Sequence, residues 1–251
     1  MDSSPYTNRV VAFIDILGFK ELILRDRESE VFAALKLAKE SEAGQFHNAP
    51  KMRLTAFSDS IVISDEVGDG FGYVRLLHFT SYLVWQLLEM GVLTRGGIGH
   101  GRLHHENGIV FGPALIEAYE LESKQAIYPR ILVPEGVRDA HIGWEVATRG
   151  DSARAPADSI FRRDFDGNLH LHILSPWAHA NIYSKKPHTP GGGTGYSGQE
   201  ILGARAACLV GALKRNQPPA AHASAWTKHR WFQNYLHETL RIYGLPAQLT
   251  D

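Results

Sequence analysis

Two stretches decide the reading of this chain: Val10-Val11-Ala12-Phe13-Ile14-Asp15-Ile16-Leu17-Gly18-Phe19 and Leu54-Thr55-Ala56-Phe57-Ser58-Asp59-Ser60-Ile61-Val62-Ile63. Each is a short apolar run of β-branched and aromatic residues, the composition of a buried strand. Each also carries one aspartate at its edge, and such a strand has no use for a carboxylate in its own packing. Laid side by side, the two strands bring Asp15 and Asp59 to one point. Paired hard oxygen ligands suit Mg²⁺ or Mn²⁺ when the ion also holds a nucleotide's phosphates. Taken singly, Asp15 could instead cap the following helix and Asp59 could make a hairpin turn.

Outward from these runs, residues 10–15 form the first strand, and Leu17 to about Ser41 reads as a helix with Val31, Leu35 and Ala38 on one stripe. His47-Asn48-Ala49-Pro50 is a turn, and residues 51–57 and 61–65 are a hairpin about Ser58-Asp59-Ser60. Residues 71–90 follow as an amphipathic helix with Phe71, Val74, Leu77, Val84 and Leu88 inward, and Thr94–Arg102 is a glycine-rich strand. The order β-α-β-β-α-β is the ferredoxin-like pattern, an antiparallel sheet with helices on one face, in which the first strand lies beside the central hairpin. The fold class is therefore α+β, with extra C-terminal helices.

Gly108–Phe111 is a short strand, Pro113–Lys124 a helix, Pro129–Pro134 a strand with a small helix after it, and Ala147–Ser159 a loop. Ile160–Phe165 and Asn168–Leu174 flank the hairpin signal Asp166-Gly167. Residues 1–184 read as the main domain, 185–197 as a Pro/Gly-rich linker, and 198–251 as a helical appendage with helices near 198–215 and 223–243. The linker's glycine run has neither a preceding strand nor a following Lys-Ser/Thr, so it is not a phosphate cradle.

Composition narrows the field. A 44% apolar share over 251 residues supports a sizeable core, and a formal charge of −1 argues against nucleic acid or a membrane surface as partner. The single cysteine, Cys208, lies in an Ala-rich stretch and is expected to be a small buried residue, which fits a reducing cytoplasm. No signal peptide or membrane span is expected. No His-x-x-x-His pair lies beside a well-placed carboxylate, and His170-x-His172 alternates along a strand, so zinc is not expected.

The motifs Phe13–Phe19, Phe57-Ser58-Asp59-Ser60 and Arg95-Gly96-Gly97-Ile98-Gly99-His100-Gly101, followed by Gly112 and a helix ending Glu117–Glu122, resemble the class III nucleotidyl cyclase catalytic domain over about residues 8–175. With Ala126-Ile127-Tyr128-Pro129-Arg130-Ile131, the wording looks most like the bacterial pyrimidine cyclases of the Pycsar antiphage systems. The resemblance implies a cytoplasmic enzyme that converts UTP to 3′,5′-cyclic UMP and pyrophosphate, or CTP to cyclic CMP. It further implies two Mn²⁺ or Mg²⁺ ions per site, a homodimer with composite active sites, and a separate effector protein that responds to the cyclic nucleotide. Asp15 and Asp59 match the family's metal-binding aspartates, Ile16 would lend a carbonyl to one metal, and the loop Ile16–Lys20 would receive the triphosphate on its N–H groups. Phe13, Leu17, Gly18, Phe19, Phe57 and Arg95 fall on the substrate-binding segments.

Thr55 stands where the family places a purine-reading lysine, and the second reader position, near Ile109 or Val110, is apolar. Thr55 with Arg53 could serve a pyrimidine edge, although a threonine there is also an ordinary strand residue. The family's Asn/Arg pair, which orients the ribose and stabilises charge, falls on Ile116 and Glu120, and neither can do that work. Lys124, Arg130 or Arg95 could take over the charge. The same departure admits a degenerate, nucleotide-sensing module. A polymerase-like palm shares the topology and the carboxylates, but the chain has no basic groove to go with them.

Overall fold

The computed structural model describes residues 4–24, 51–176, 198–215 and 217–246, with scattered positions between 26 and 39. At its centre is strand β1 (Thr7–Ile16), whose pleat sorts its residues strictly. Val10, Ala12, Ile14 and Ile16 enter the main core, while Val11 and Phe13 pack on the opposite face, in the same row as Asp15. A helix (α1, Phe19–Leu24) follows, then the hairpin β2 (Arg53–Phe57) and β3 (Ser60–Glu66), helix α2 (Phe71–Glu89) and strand β4 (Thr94–Glu106). β1 lies between β3 and β4 and is antiparallel to both, which completes the βαββαβ order expected from sequence. In register, Asp15 stands opposite Ser60 on one side and Arg95 on the other.

The remaining elements are β5 (Ile109–Phe111), α3 (Pro113–Lys124), β6 (Ile131–Leu132), α4 (Glu135–Arg149), a 3₁₀ turn, α5 (Arg154–Asp158), β7 (Phe161–Arg163), β8 (Leu169–Leu171), α6 (Gly198–Arg215) and α7 (Ala223–Ile242). The sheet runs β2-β3-β1-β4-β6-β8-β7, with β5 paired to β4. Two segments are more helical than expected. Residues 147–159 hold the end of α4, the 3₁₀ turn and α5 rather than a loop, because Pro156 sits in a first turn, where no intrahelical N–H bond is needed. The small helix expected after residue 134 is the 15-residue α4, obscured in sequence because His141 and Glu145 occupy two of its buried positions.

The helices α1 and α2 of the core pattern share one face of the sheet, as expected, but α3 lies on the other, and the glycines of β4 explain why. A Cβ at Gly97 would stand 2.4 Å from the Ala118 carbonyl oxygen, and one at Gly99 would stand 2.1 Å from that of Ala114. Only bare backbone admits the helix so close.

The C-terminal helices are appended in sequence but not in packing. Leu202, Leu209 and Leu213 of α6 and Phe232, Leu236 and Leu240 of α7 belong to the same buried cluster as Ile14 and Leu83. Arg205 of α6 also pairs with Glu89 of α2. Cys208 is exposed, a correction that follows from its place on the outward side of α6. The expected linker 185–197, the turn His47–Pro50 and most of the helix expected to reach Ser41 lie outside the described residues. Among the described residues no helix is long and apolar enough to cross a membrane.

Gly99→Ala is expected to destabilise the protein by about 1–3 kcal/mol or more in urea unfolding, because the new methyl meets backbone that cannot yield. Gly143→Ala, on α4 with nothing within 4 Å of the added Cβ, should instead gain up to about 1 kcal/mol.

Candidate active site

Asp15 ends the face-exposed row of β1, and Asp59 sits in the turn between β2 and β3. The turn is tight, with Ser58 in the left-handed region at φ 55°. The Ile16 amide donates to the Asp59 carbonyl at 2.8 Å, and this bond holds the two aspartates together. The Leu17 amide donates to the Leu93 carbonyl at 2.9 Å, so it is not available for phosphate as the sequence suggested.

Two groups the sequence reading did not single out complete the site. Glu122, on the last turn of α3, is buried over the sheet, and its Oε1 lies 2.7 Å from Arg95 Nη2 without a hydrogen-bonding alignment. Arg95 also donates from Nε to Asp15 Oδ2 at 3.1 Å. The second group is Lys228 of α7, partly buried and close enough for its charge to act on Asp15, Glu122 and Arg95. The last helix therefore contributes a cation to a site expected to be built without it.

The electrostatics show a cluster short of positive charge. Burial pushes the Asp15 carboxyl above its ordinary range; Arg95 opposes this, and the neighbouring Asp59 adds to it. Glu122 is raised in the same way, chiefly by burial, with Asp15 and Asp59 adding to the push and Arg95 opposing it. Lys228 is lowered, first by burial and then by Arg95, while Asp15 and Glu122 draw it back up. Asp15 and Asp59 offer hard oxygen ligands of the kind a divalent cation takes, while Glu122 is tied to Arg95 and reaches them through it.

Beside the end of β1 is a cavity of about 550 Å³ between the Leu17–Leu22 segment, the Gly91–Leu93 turn and residues 217–229, with Lys228 in its wall. Gly18 adopts φ 76° at its rim, a conformation glycine takes without strain. Phe19 packs partly against the main core, and Phe13 meets Tyr119 edge-on at 5.6 Å.

Farther along the same sheet face, Thr55 belongs to a relay. Arg9 Nε donates to Ser64 Oγ at 2.9 Å, Ser64 Oγ lies 2.8 Å from His105 Nδ1, and Thr55 Oγ1 lies 3.0 Å from His105 Nε2. Arginine can only donate, so Ser64 Oγ accepts from Arg9. Burial first, and then Arg9 and Arg53, hold His105 down to about 4, so its ring is neutral near pH 7, one ring nitrogen donating and the other accepting between Ser64 and Thr55. Arg53 donates to the neighbouring Met52 carbonyl at 2.9 Å and shares this face with Thr55 and the largely exposed Phe57.

The other cations named from sequence lie elsewhere. Lys124 is 66% exposed and pairs with Glu120 at 2.6 Å. Arg130 is buried between Asp164 and Asp166, over the rings of Tyr128 and Trp231. His172 bonds Tyr235 Oη at 2.6 Å and His170 Nδ1 lies 2.9 Å from the Leu171 carbonyl, so the pair noted in sequence is tied into its own surroundings, and His104 bonds the Pro5 carbonyl at 3.0 Å.

Asp15 and Glu122 hold their protons more tightly in the folded protein than at the ordinary 3.8 and 4.5. The stability these protons confer is complete below those values and is lost as pH rises through the raised folded-state values. Relative to wild type, Asp15→Asn should therefore gain stability in urea unfolding as pH goes from about 4 to 7. Mn²⁺ should raise the wild-type melting temperature and leave that of the Asp15→Asn/Asp59→Asn double variant unmoved.

No protein-family model matches the chain, and neither does any curated protein sequence. Among solved structures the chain is similar to a bacterial light-regulated adenylyl cyclase, at 17% identity and TM-score 0.40, over 54% of this chain and 45% of that one. A second structure of a bacterial light-regulated adenylyl cyclase matches at 15% identity and TM-score 0.44, over 70% of this chain and 96% of that one. The adenylyl cyclase CyaB from P. aeruginosa matches at 14% identity and TM-score 0.40, over 66% and 92%. The chain thus spans less than half the length of the first of these.

Proposed function

We propose that the protein is a nucleotidyl cyclase that converts UTP to 3′,5′-cyclic UMP and pyrophosphate. The observation that carries this reading is the junction of Asp15 and Asp59 across one backbone hydrogen bond, beside Arg95 and Lys228. Asp15 and Asp59, with the Ile16 carbonyl, would hold two Mn²⁺ or Mg²⁺ ions. Bound there, such ions favour the ionised 3′-oxygen and neutralise phosphate charge. Lys228, in the wall of the cavity, meets the triphosphate, and Arg95, held between Asp15 and Glu122, faces the charge that grows at the α-phosphate. The new bond joins O3′ to the α-phosphorus, the bond from that phosphorus to the bridging oxygen breaks, and pyrophosphate leaves with the electron pair. The O3′ proton is released to water. The roles first considered for Lys124 and Arg130 pass to Lys228 and Arg95, whose side chains are the cations at the carboxylates.

Base choice follows from the relay. With His105 protonated on Nε2 and donating to Thr55 Oγ1, the Thr55 hydroxyl would turn its own proton outward, which suits an acceptor such as uracil O4 and opposes the amino group that cytosine and adenine present. A mismatched buried donor of this kind is worth a few kcal/mol in selectivity. Exposed apolar side chains on the α3 side, among them Phe57, Ile116 and Tyr119, support a homodimer whose sites lie between subunits. In this reading the cyclic nucleotide signals to a separate effector, as the Pycsar resemblance implies. A second reading, a nucleotide-sensing module without turnover, is favoured by Ile116 and Glu120, which stand in place of an Asn/Arg pair.

Incubation with Mn²⁺ and each of UTP, CTP, ATP and GTP at equal concentration decides among these. Cyclic UMP as the main product is expected. Preference for a purine overturns the base reading, and binding without turnover selects the sensor. Lys228→Ala should lower turnover of the preferred substrate about tenfold or more, while Thr55→Val should erode the preference for UTP over CTP.

A further inference from the structure

A second polar cluster lies between α2 and α4, apart from the carboxylates described above. His78 of α2 faces His141 and Glu145 of α4, which are one helical turn apart, and the potential ligand atoms of the three lie within 4.8 Å of one another. His141 is fully buried, and neither of its ring nitrogens has a hydrogen-bond partner; Glu145 Oε2 has none either. Buried polar atoms are rarely left unpaired, and here three come together in one place. The two imidazoles stand 5.9 Å apart between ring centroids, and Phe161 closes one side edge-on to His141.

We propose that His78, His141 and Glu145 form a zinc site that fastens α2 to α4. Two imidazoles and one carboxylate are a ligand set that Zn²⁺ takes, with water as the fourth ligand. In a tetrahedral site with bonds of about 2.1 Å, ligand atoms stand about 3.4 Å apart, which small side-chain rotations would bring about here. Arg149 Nε lies 3.2 Å from Glu145 Oε2, but its side chain is 48% exposed, so an arriving dication can displace it into water. His78 is partly exposed and marks the way in.

The Asp15→Asn/Asp59→Asn protein, stripped with chelator, isolates this site. Titrated with Zn²⁺ in calorimetry, it should bind one ion per chain, and Co²⁺ should give the visible absorption of a tetrahedral site. Adding Glu145→Gln or His78→Ala should weaken Zn²⁺ binding at least a hundredfold and abolish the cobalt band. Absence of Zn²⁺ binding by the parent, or unchanged binding in either added variant, overturns the proposal. Should an added variant fail to fold, the parent's cobalt spectrum decides alone: a tetrahedral band upholds the site and its absence refutes it.

Discussion

The approach of α3 to bare backbone on β4 governs the rest of the site face. With a Cβ at Gly97 or Gly99 the helix would stand farther out, and Glu122 at its end would no longer reach Arg95. The sheet twist, the alternation of β1 and the tight turn at Asp59 place two carboxylates. The glycine contact places the third and closes the face above them. Glycine here serves close packing rather than flexibility, although each such residue adds backbone entropy to the unfolded chain.

The charge arrangement carries a tension. Asp15 and Glu122 are taken out of water beside Asp59, and Arg95 and Lys228 do not fully compensate. Packing alone would select an amide or an aliphatic residue at these positions. Groups held in an unfavourable state by a well-packed surround are characteristic of sites that bind or react.

Much of the scaffold was legible in the sequence because strand alternation and helical periodicity are local signals. β1, the β2–β3 hairpin, α2, α3, α6 and α7 fall close to where the pattern places them. The site was legible only where its residues sit inside those patterns, as Asp15 and Asp59 do. Glu122 looked like one more charge on a charged helix, and Lys228 like a surface lysine 213 positions beyond Asp15; only tertiary approach gives either a role. His105 stood out by no local pattern, while Arg130 misled because its partners Asp164 and Asp166 lie in a distant hairpin. The polar residues on the buried stripe of α4 hid both the length of that helix and the cluster that His141 and Glu145 form with His78.

The position of Lys228 has a consequence for how the chain comes off the ribosome. β1, the hairpin, β4 and α3 are synthesised first and can pack together before α7 has been made. At that stage Asp15, Asp59 and Glu122 have one cation among them. The second arrives only when α7 emerges and docks through Phe232, Leu236 and Leu240. A nascent chain that stops short of α7 thus lacks both the lysine and a layer of its core, so the electrostatics of the site and the packing beneath it are completed by the same helix.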